Sequence, residues 1–108
     1  MMVASLTHNV FAELVNTKFR VQLDENKTGE TELVEVSELL IFPHQEHFSI
    51  VFRGPNEMQL GQGMRRFEHD QMGDFDLFIV PIRQDEQGLY YEAVFNRFRG
   101  HDQERPVS

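Results

Sequence analysis

The stretch "FSIVFRGP", residues 48–55, alternates in a period of two and then stops at Gly54-Pro55. That period sends Phe48, Ile50 and Phe52 to one face of an extended strand and Ser49, Val51 and Arg53 to the other. Proline has no N–H to give to a ladder and glycine accepts a sharp reversal, so the strand ends there. Short period-two runs closed by turns recur along most of the chain. A strand that is apolar on one face must share that face with others, and this repetition constrains the fold more than any other feature.

"KFRVQLD" sets Phe19, Val21 and Leu23 against Lys18, Arg20 and Gln22, and after the turn-rich "DENKTGE" the segment "TELVEVSELL" resumes extended structure. The pair predicts a hairpin over residues 18–42, interrupted by "FPHQEH" before the next strand. "MRRFEH" and "DFDLFIVPI" flank the turn "DQMG". The second of these is apolar on both faces and is the expected central strand, ending or bulging at Pro81. "RQDEQG" turns into "LYYEAVFNRF", where Tyr91, Ala93 and Phe95 oppose Tyr90, Glu92 and Val94. One segment has a different period: after Thr7, a helix N-cap type, Val10, Phe11, Leu14 and Val15 share one helical face over about residues 8–16. A helix this short draws its stability from packing, so it is expected as a lid across an open barrel end. The pattern predicts a mainly β fold, a small antiparallel barrel or sandwich of about six strands with one short N-terminal α-helix. It forms a single domain over residues 1–99, followed by a polar, frayed tail over 100–108.

A chain of 108 residues holds one modest core and one site at most. Ten Phe and two Tyr, with neither Trp nor Cys, predict a core of aromatic rings without disulfides, compatible with a reducing compartment. "MMVASLTHNVF" shows no basic segment before an apolar run, and "LFIVPI" falls far short of the ~20 residues of a membrane span. The expectation is a cytoplasmic protein that does not engage membranes. Net charge is −8 and is negative in both halves of the chain, so nucleic-acid backbones, which are held by surplus Lys and Arg, are not expected partners.

"FSIVFRGP", "LGQG", "LFIVPI" and "GLYYEAVFNR", in that order, resemble a family of small bacterial domains of unknown function. The resemblance spans most of residues 6–97 and brings no catalytic or binding residues with it. It implies an accessory role beside phage-tail-like or tail-collar proteins.

The residue types of catalytic and metal sites occur in the chain, but in patterns that have plainer readings. Asp24, Asn26, Thr28, Gly29 and Glu35 fall at five positions of a calcium-loop spacing. Strand-like flanks, however, would carry Glu35 away from the turn, which favours an ordinary hairpin turn. His44 and His47 lie three apart in a loop, without a thiol, where spacing does not make ligands converge. No serine sits in a glycine-flanked elbow, and Asp74/Asp76 and Asp85/Glu86 read as solvated acids. Gly61 and Gly63 lack the lysine and the helix of a phosphate loop. Tyr90, Tyr91, Arg97, Phe98 and Arg99 are of the types that stack on single strands, but the acidic total and Glu92 oppose that use.

By elimination the chain is expected to be a non-enzymatic interaction or assembly module without a cofactor, engaging a protein partner or a copy of itself through edge strands and the loop over 54–63. The rival is a small-molecule or metal-binding domain, or an unrecognised enzyme, with a cavity under the helix. Arg53, Gly54, Pro55 and Glu92 are the residues singled out for interaction or for anchoring the loop. Arg53 emerges outward where the chain turns, and Glu92 is its expected carboxylate partner.

Overall fold

The computed structural model describes residues 6–98. Thr7 is extended and its hydroxyl accepts the Val10 N–H at 3.3 Å, starting helix α1 (His8–Glu13). Helix geometry ends at the C-cap Leu14, and Asn16 takes a left-handed φ of 73°, a conformation asparagine tolerates better than most residues. The strands that follow are β1 (Lys18–Asp24), β2 (Lys27–Val36), β3 (Leu40–Phe42), β4 (Gln45–Gly54), β5 (Gly63–His69), β6 (Gly73–Asp85) and β7 (Gly88–Phe98). All pairings are antiparallel, in the order β2-β1-β5-β6-β7-β4, and β2 pairs in turn with β4, so six strands close into a barrel. The seventh, β3, lies beside the start of β4.

Two long strands make closure possible by changing partners along their length. β2 pairs with β1 up to Glu32 and with β4 from Glu32 onward, shifting register between Leu33 and Glu35. β6 pairs with β5 up to Ile79 and with β7 from Val80, and its ladder is irregular between Pro81 and Arg83. Pro81 therefore marks a bulge within a strand that continues to Asp85, and bulges bend a strand at a barrel corner.

The structure departs from the sequence expectation at three places. The segment over 18–42 is not one hairpin: the β1–β2 hairpin ends at Val36, and β3 pairs with β4, whose first residue follows the two-residue break Pro43-His44. The helix is shorter than 8–16. And β6 is not buried on both faces, since Phe75, Leu77 and Ile79 point inward while Phe78 and Ile82 are exposed on the outer face. A barrel strand has only one interior face, so an apolar run can belong to it without a second layer covering the other side. The frayed tail expected over 100–108 lies outside the described residues.

The interior is aromatic, as the Phe count implies. Phe19, Phe48, Phe52, Phe67 and Tyr91, from β1, β4, β5 and β7, are all fully enclosed. Phe52 stacks on Phe67 with ring centroids 4.7 Å apart, and Phe48 on Phe95 at 4.6 Å. Helix α1 closes one end of the barrel. Its Phe11 ring meets Phe95 at 5.5 Å, Phe75 at 6.2 Å, Phe48 at 6.4 Å and Phe19 at 6.5 Å, so one side chain touches four strands.

Candidate functional site

The loop between β4 and β5 lies at the end of the barrel opposite the helix and covers it. Leu60 and Met58 pack on the core, and the Tyr91 hydroxyl reaches them from inside, donating to the Met58 carbonyl at 2.9 Å and accepting the Leu60 N–H at 3.0 Å. On the outer side Asn56 donates to the Asp85 carbonyl at 3.2 Å and accepts from Gln84 at 2.7 Å, which fixes the loop to the β6–β7 hairpin. That hairpin is itself closed by Asp85, whose Oδ1 accepts the Gln87 N–H at 2.8 Å. This backbone bond, more than the Tyr90 hydroxyl or Arg83, holds the Asp85 carboxyl below its usual range.

Arg53 has a different task. Its Nη2 donates to Glu32 Oε1 at 3.0 Å, and Lys18 approaches the same oxygen at 3.9 Å. Register explains the pairing: Glu32 stands directly opposite Arg53 across β2–β4, whereas Glu92 stands opposite Val51 on β4 and Val80 on β6. The expected Arg53–Glu92 pair is therefore replaced by Arg53–Glu32, which ties β4 to the closing strand β2 and leaves the loop to Asn56 and Tyr91. Gly54 is buried, and a side chain there would meet the methyl of Met58 at 2.8 Å; Pro55 is exposed and its carbonyl accepts the Met58 N–H at 3.0 Å. Arg53, Gly54 and Pro55 line one edge of an open groove of about 300 Å³, with Lys18, Glu30 and Glu32 opposite. Two cations and two carboxylates balance in it, so it has no charge preference for an anion or a cation.

The other sequence candidates are dispersed. Asp24 accepts the Asn26 N–H at 2.8 Å, an Asx turn, while Glu35 pairs with Val51 far along the barrel. Among the described residues no group of three or more His, Asp or Glu side chains is placed to hold a metal ion. His47 bonds Asn96 at 2.7 Å, and Asp76 bonds Arg66 at 3.0 Å. The aromatic-basic cluster separates by strand alternation: Tyr91 points into the barrel, Tyr90 lies under Arg83 at 4.0 Å, Arg97 covers Phe95 and bonds the Leu6 carbonyl, and Phe98 is exposed. Arg99 lies outside the described residues. No continuous stacking platform results among the described residues.

Two features were missed from sequence. Glu32 escaped because pairing β2 with β4 requires the closed topology, which no local pattern carries. His69 is the other: it is almost wholly buried, and its two-residue spacing from Phe67 on β5 was the available signal. The outer faces also hold exposed apolar residues. Met64 faces Phe78 across β5–β6, with exposures of 63% and 48%, and Leu40, Ile41 and Phe42 are all exposed on β3.

A family model described as a domain of unknown function, DUF6916, matches residues 6–95, and the chain belongs to that family. No curated protein and no solved structure matches it. Among the described residues no helix is long and apolar enough to cross a membrane.

Proposed function

From membership of a family whose role is open, we propose that this domain is a non-enzymatic interaction or assembly module that binds a protein partner or a second copy of itself. The observation that carries the reading is the placement of apolar surface. The barrel interior is occupied by its own aromatic rings and both ends are covered, while Met64, Phe78, Val94 and Ile82 stand exposed on the outside and β3 presents three further apolar side chains on a sheet edge. Exposed apolar surface around a filled core is what an association surface requires, and a strand edge offers backbone groups as well. The accessory role beside phage-tail-like or tail-collar proteins, in a bacterium, belongs to this proposal. It is supported by the sequence resemblance.

A photo-activated cross-linking residue at position 64 or 78 tests it, with position 26, in the exposed β1–β2 turn, as the control. Adducts to a defined partner or to a second copy are expected at 64 and 78 and not at 26, and Phe78→Ser should weaken the adduct formed at 64. Equal labelling at all three positions would remove the outer face of β5 and β6 as a specific surface.

A further inference from the structure

The one imidazole that is buried among the described residues sits where the N-terminal helix leaves the barrel. His69, the last residue of β5, is 6% exposed, and its ring lies 4.3 Å from that of Phe19. Nε2 is 3.0 Å from the Thr17 hydroxyl, and Nδ1 is 3.0 Å from the Gln71 backbone nitrogen. The Thr17 hydroxyl is also 2.8 Å from the Leu14 carbonyl, to which it donates. Its single proton is then committed, so Nε2 carries a proton and donates to Thr17 Oγ1. On the other side the Gln71 N–H can only donate, so Nδ1 is bare. The two bonds agree on one neutral tautomer.

Each bond holds a different element. Through Thr17 and Leu14 the ring grips the exit of α1, where Asn16 N–H also donates to the Leu33 carbonyl at 2.6 Å. Through Gln71 it shapes the β5–β6 turn, in which Met72 is 1% exposed and Gly73 has φ 82°. A second proton has one place to go, Nδ1, where it would confront the Gln71 N–H, donor against donor. Burial also opposes the cation, and this is the largest cause holding the His69 pKa below 6.5. Among charged neighbours, Asp70 favours the imidazolium and Arg20 on β1 opposes it. Arg20 bonds both Glu68 and Asp70, at 3.1 Å each, so the carboxylate best placed to answer a charged ring is already engaged. From the helix side the ring meets a hydroxyl, while Glu13 and Lys18 are exposed.

We propose that His69 is an acid-released latch: as neutral imidazole it fastens the end of α1 to the β5–β6 turn, and on protonation it lets go of both, loosening the helix that plugs this end of the barrel. The sign follows from the lowered folded value. The unfolded or opened chain binds the proton more readily, so the latch is fully closed above about pH 6.5. It weakens as the pH falls from there through the folded pKa, and below that no further loosening comes from this group.

The test uses the intact chain. Amide protection factors, corrected for the intrinsic pH dependence of exchange, are followed by NMR from pH 7.5 to 4.5, together with the ring nitrogen shifts of His69. The expected result is an Nε2–H tautomer at pH 7.5 and a ring that titrates below the usual histidine range. Protection at Leu14, Thr17, Gln71 and Met72 should fall by up to about tenfold per pH unit over that interval, while Val21 and Ile50 stay protected. His69→Asn retains an acceptor near the Nδ1 position and cannot take the proton, so its protection at Gln71 should be flat with pH. An unchanged protection pattern at those four amides in the native chain, or a ring that titrates at or above 6.5, would overturn the latch whether or not the variant folds.

Discussion

The hydroxyl of Tyr91 and the backbone of Met58 are joined across the mouth of the barrel: the hydroxyl gives its proton to the Met58 carbonyl at 2.9 Å while taking the Leu60 N–H at 3.0 Å. One phenol therefore satisfies a donor and an acceptor of a loop that has no ladder of its own. The ring below it is 1% exposed, so the oxygen is presented from a rigid base.

Tyr91→Phe keeps the ring and removes that oxygen. Two backbone groups of the loop lose their partner, and the expected cost is about 1–3 kcal/mol in a urea titration. Amide exchange over residues 56–62 should accelerate more than exchange in β4. A change below about 0.5 kcal/mol would mean that water replaces the phenol freely and that Asn56 and the packing of Met58 and Leu60 suffice to hold the loop.

Phe11 should be the most costly position in the helix. It is fully buried and touches rings from four strands, so Phe11→Ala is expected to lose about 3–5 kcal/mol, against about 2–4 kcal/mol for Leu14→Ala. Thermal unfolding of both variants checks the order. If Phe11→Ala cost less than Leu14→Ala, the helix would not be acting as the plug of the barrel.

What could be read from the chain, and what could not, divides by distance along it. Phe48, Ile50 and Phe52 could be set inward from alternation alone because a pleated strand forces it, and Thr7 could be named an N-cap because its bond spans three residues. The exposure of Phe78 could not, since a run that is apolar on both faces looks the same whether the second face meets another layer or water. Nor could the choice of Glu32 over Glu92 for Arg53. Both acids are in strands that flank β4, and only the register across a closed barrel distinguishes them.

A double-mutant cycle measures that choice. Arg53 and Glu32 are 29% and 22% exposed, so their pair is screened by solvent and should couple by about 0.5–1 kcal/mol, less at high salt. Arg53 with Glu92 should couple by no more than about 0.3 kcal/mol, which is additivity within error. Equal coupling in the two cycles would show that the guanidinium is shared between the two acids in solution.

Acid should act on this domain through His69 before it acts through most carboxylates. Because burial holds the imidazole neutral, stability is expected to decline as pH drops below about 6.5, and His69→Asn should remove that part of the decline while leaving the lower acid limb in place. Denaturant midpoints at pH 7.5, 6.0 and 5.0 for the native chain and the variant give the comparison. Parallel curves would assign the decline to other groups.

The last prediction sets two glycines against each other. A side chain at Gly88 would strike the carbonyl oxygen of Gly54, and Gly88 also has φ 151°, a region that residues with a Cβ rarely enter. Neither obstacle can move, because the Gly54 carbonyl belongs to the β4–β7 ladder opposite Leu89. Strain and clash should each cost roughly 1–3 kcal/mol in Gly88→Ala. A side chain at Gly29 would instead strike Sδ of Met58, the flexible end of a side chain on the loop, and nothing else closer than 3.4 Å. Methionine can turn away from it, so Gly29→Ala should cost about 1 kcal/mol or less, part of it offset by the lower entropy of the unfolded chain. Met58→Ala removes the obstacle outright. In that background Gly29→Ala should become neutral or slightly stabilising, a coupling of at least about 0.5 kcal/mol, whereas Gly88→Ala should be as damaging as before. If Met58→Ala rescued Gly88→Ala equally, the loop and not the β4–β7 ladder would be setting the approach of the backbones at that end of the barrel.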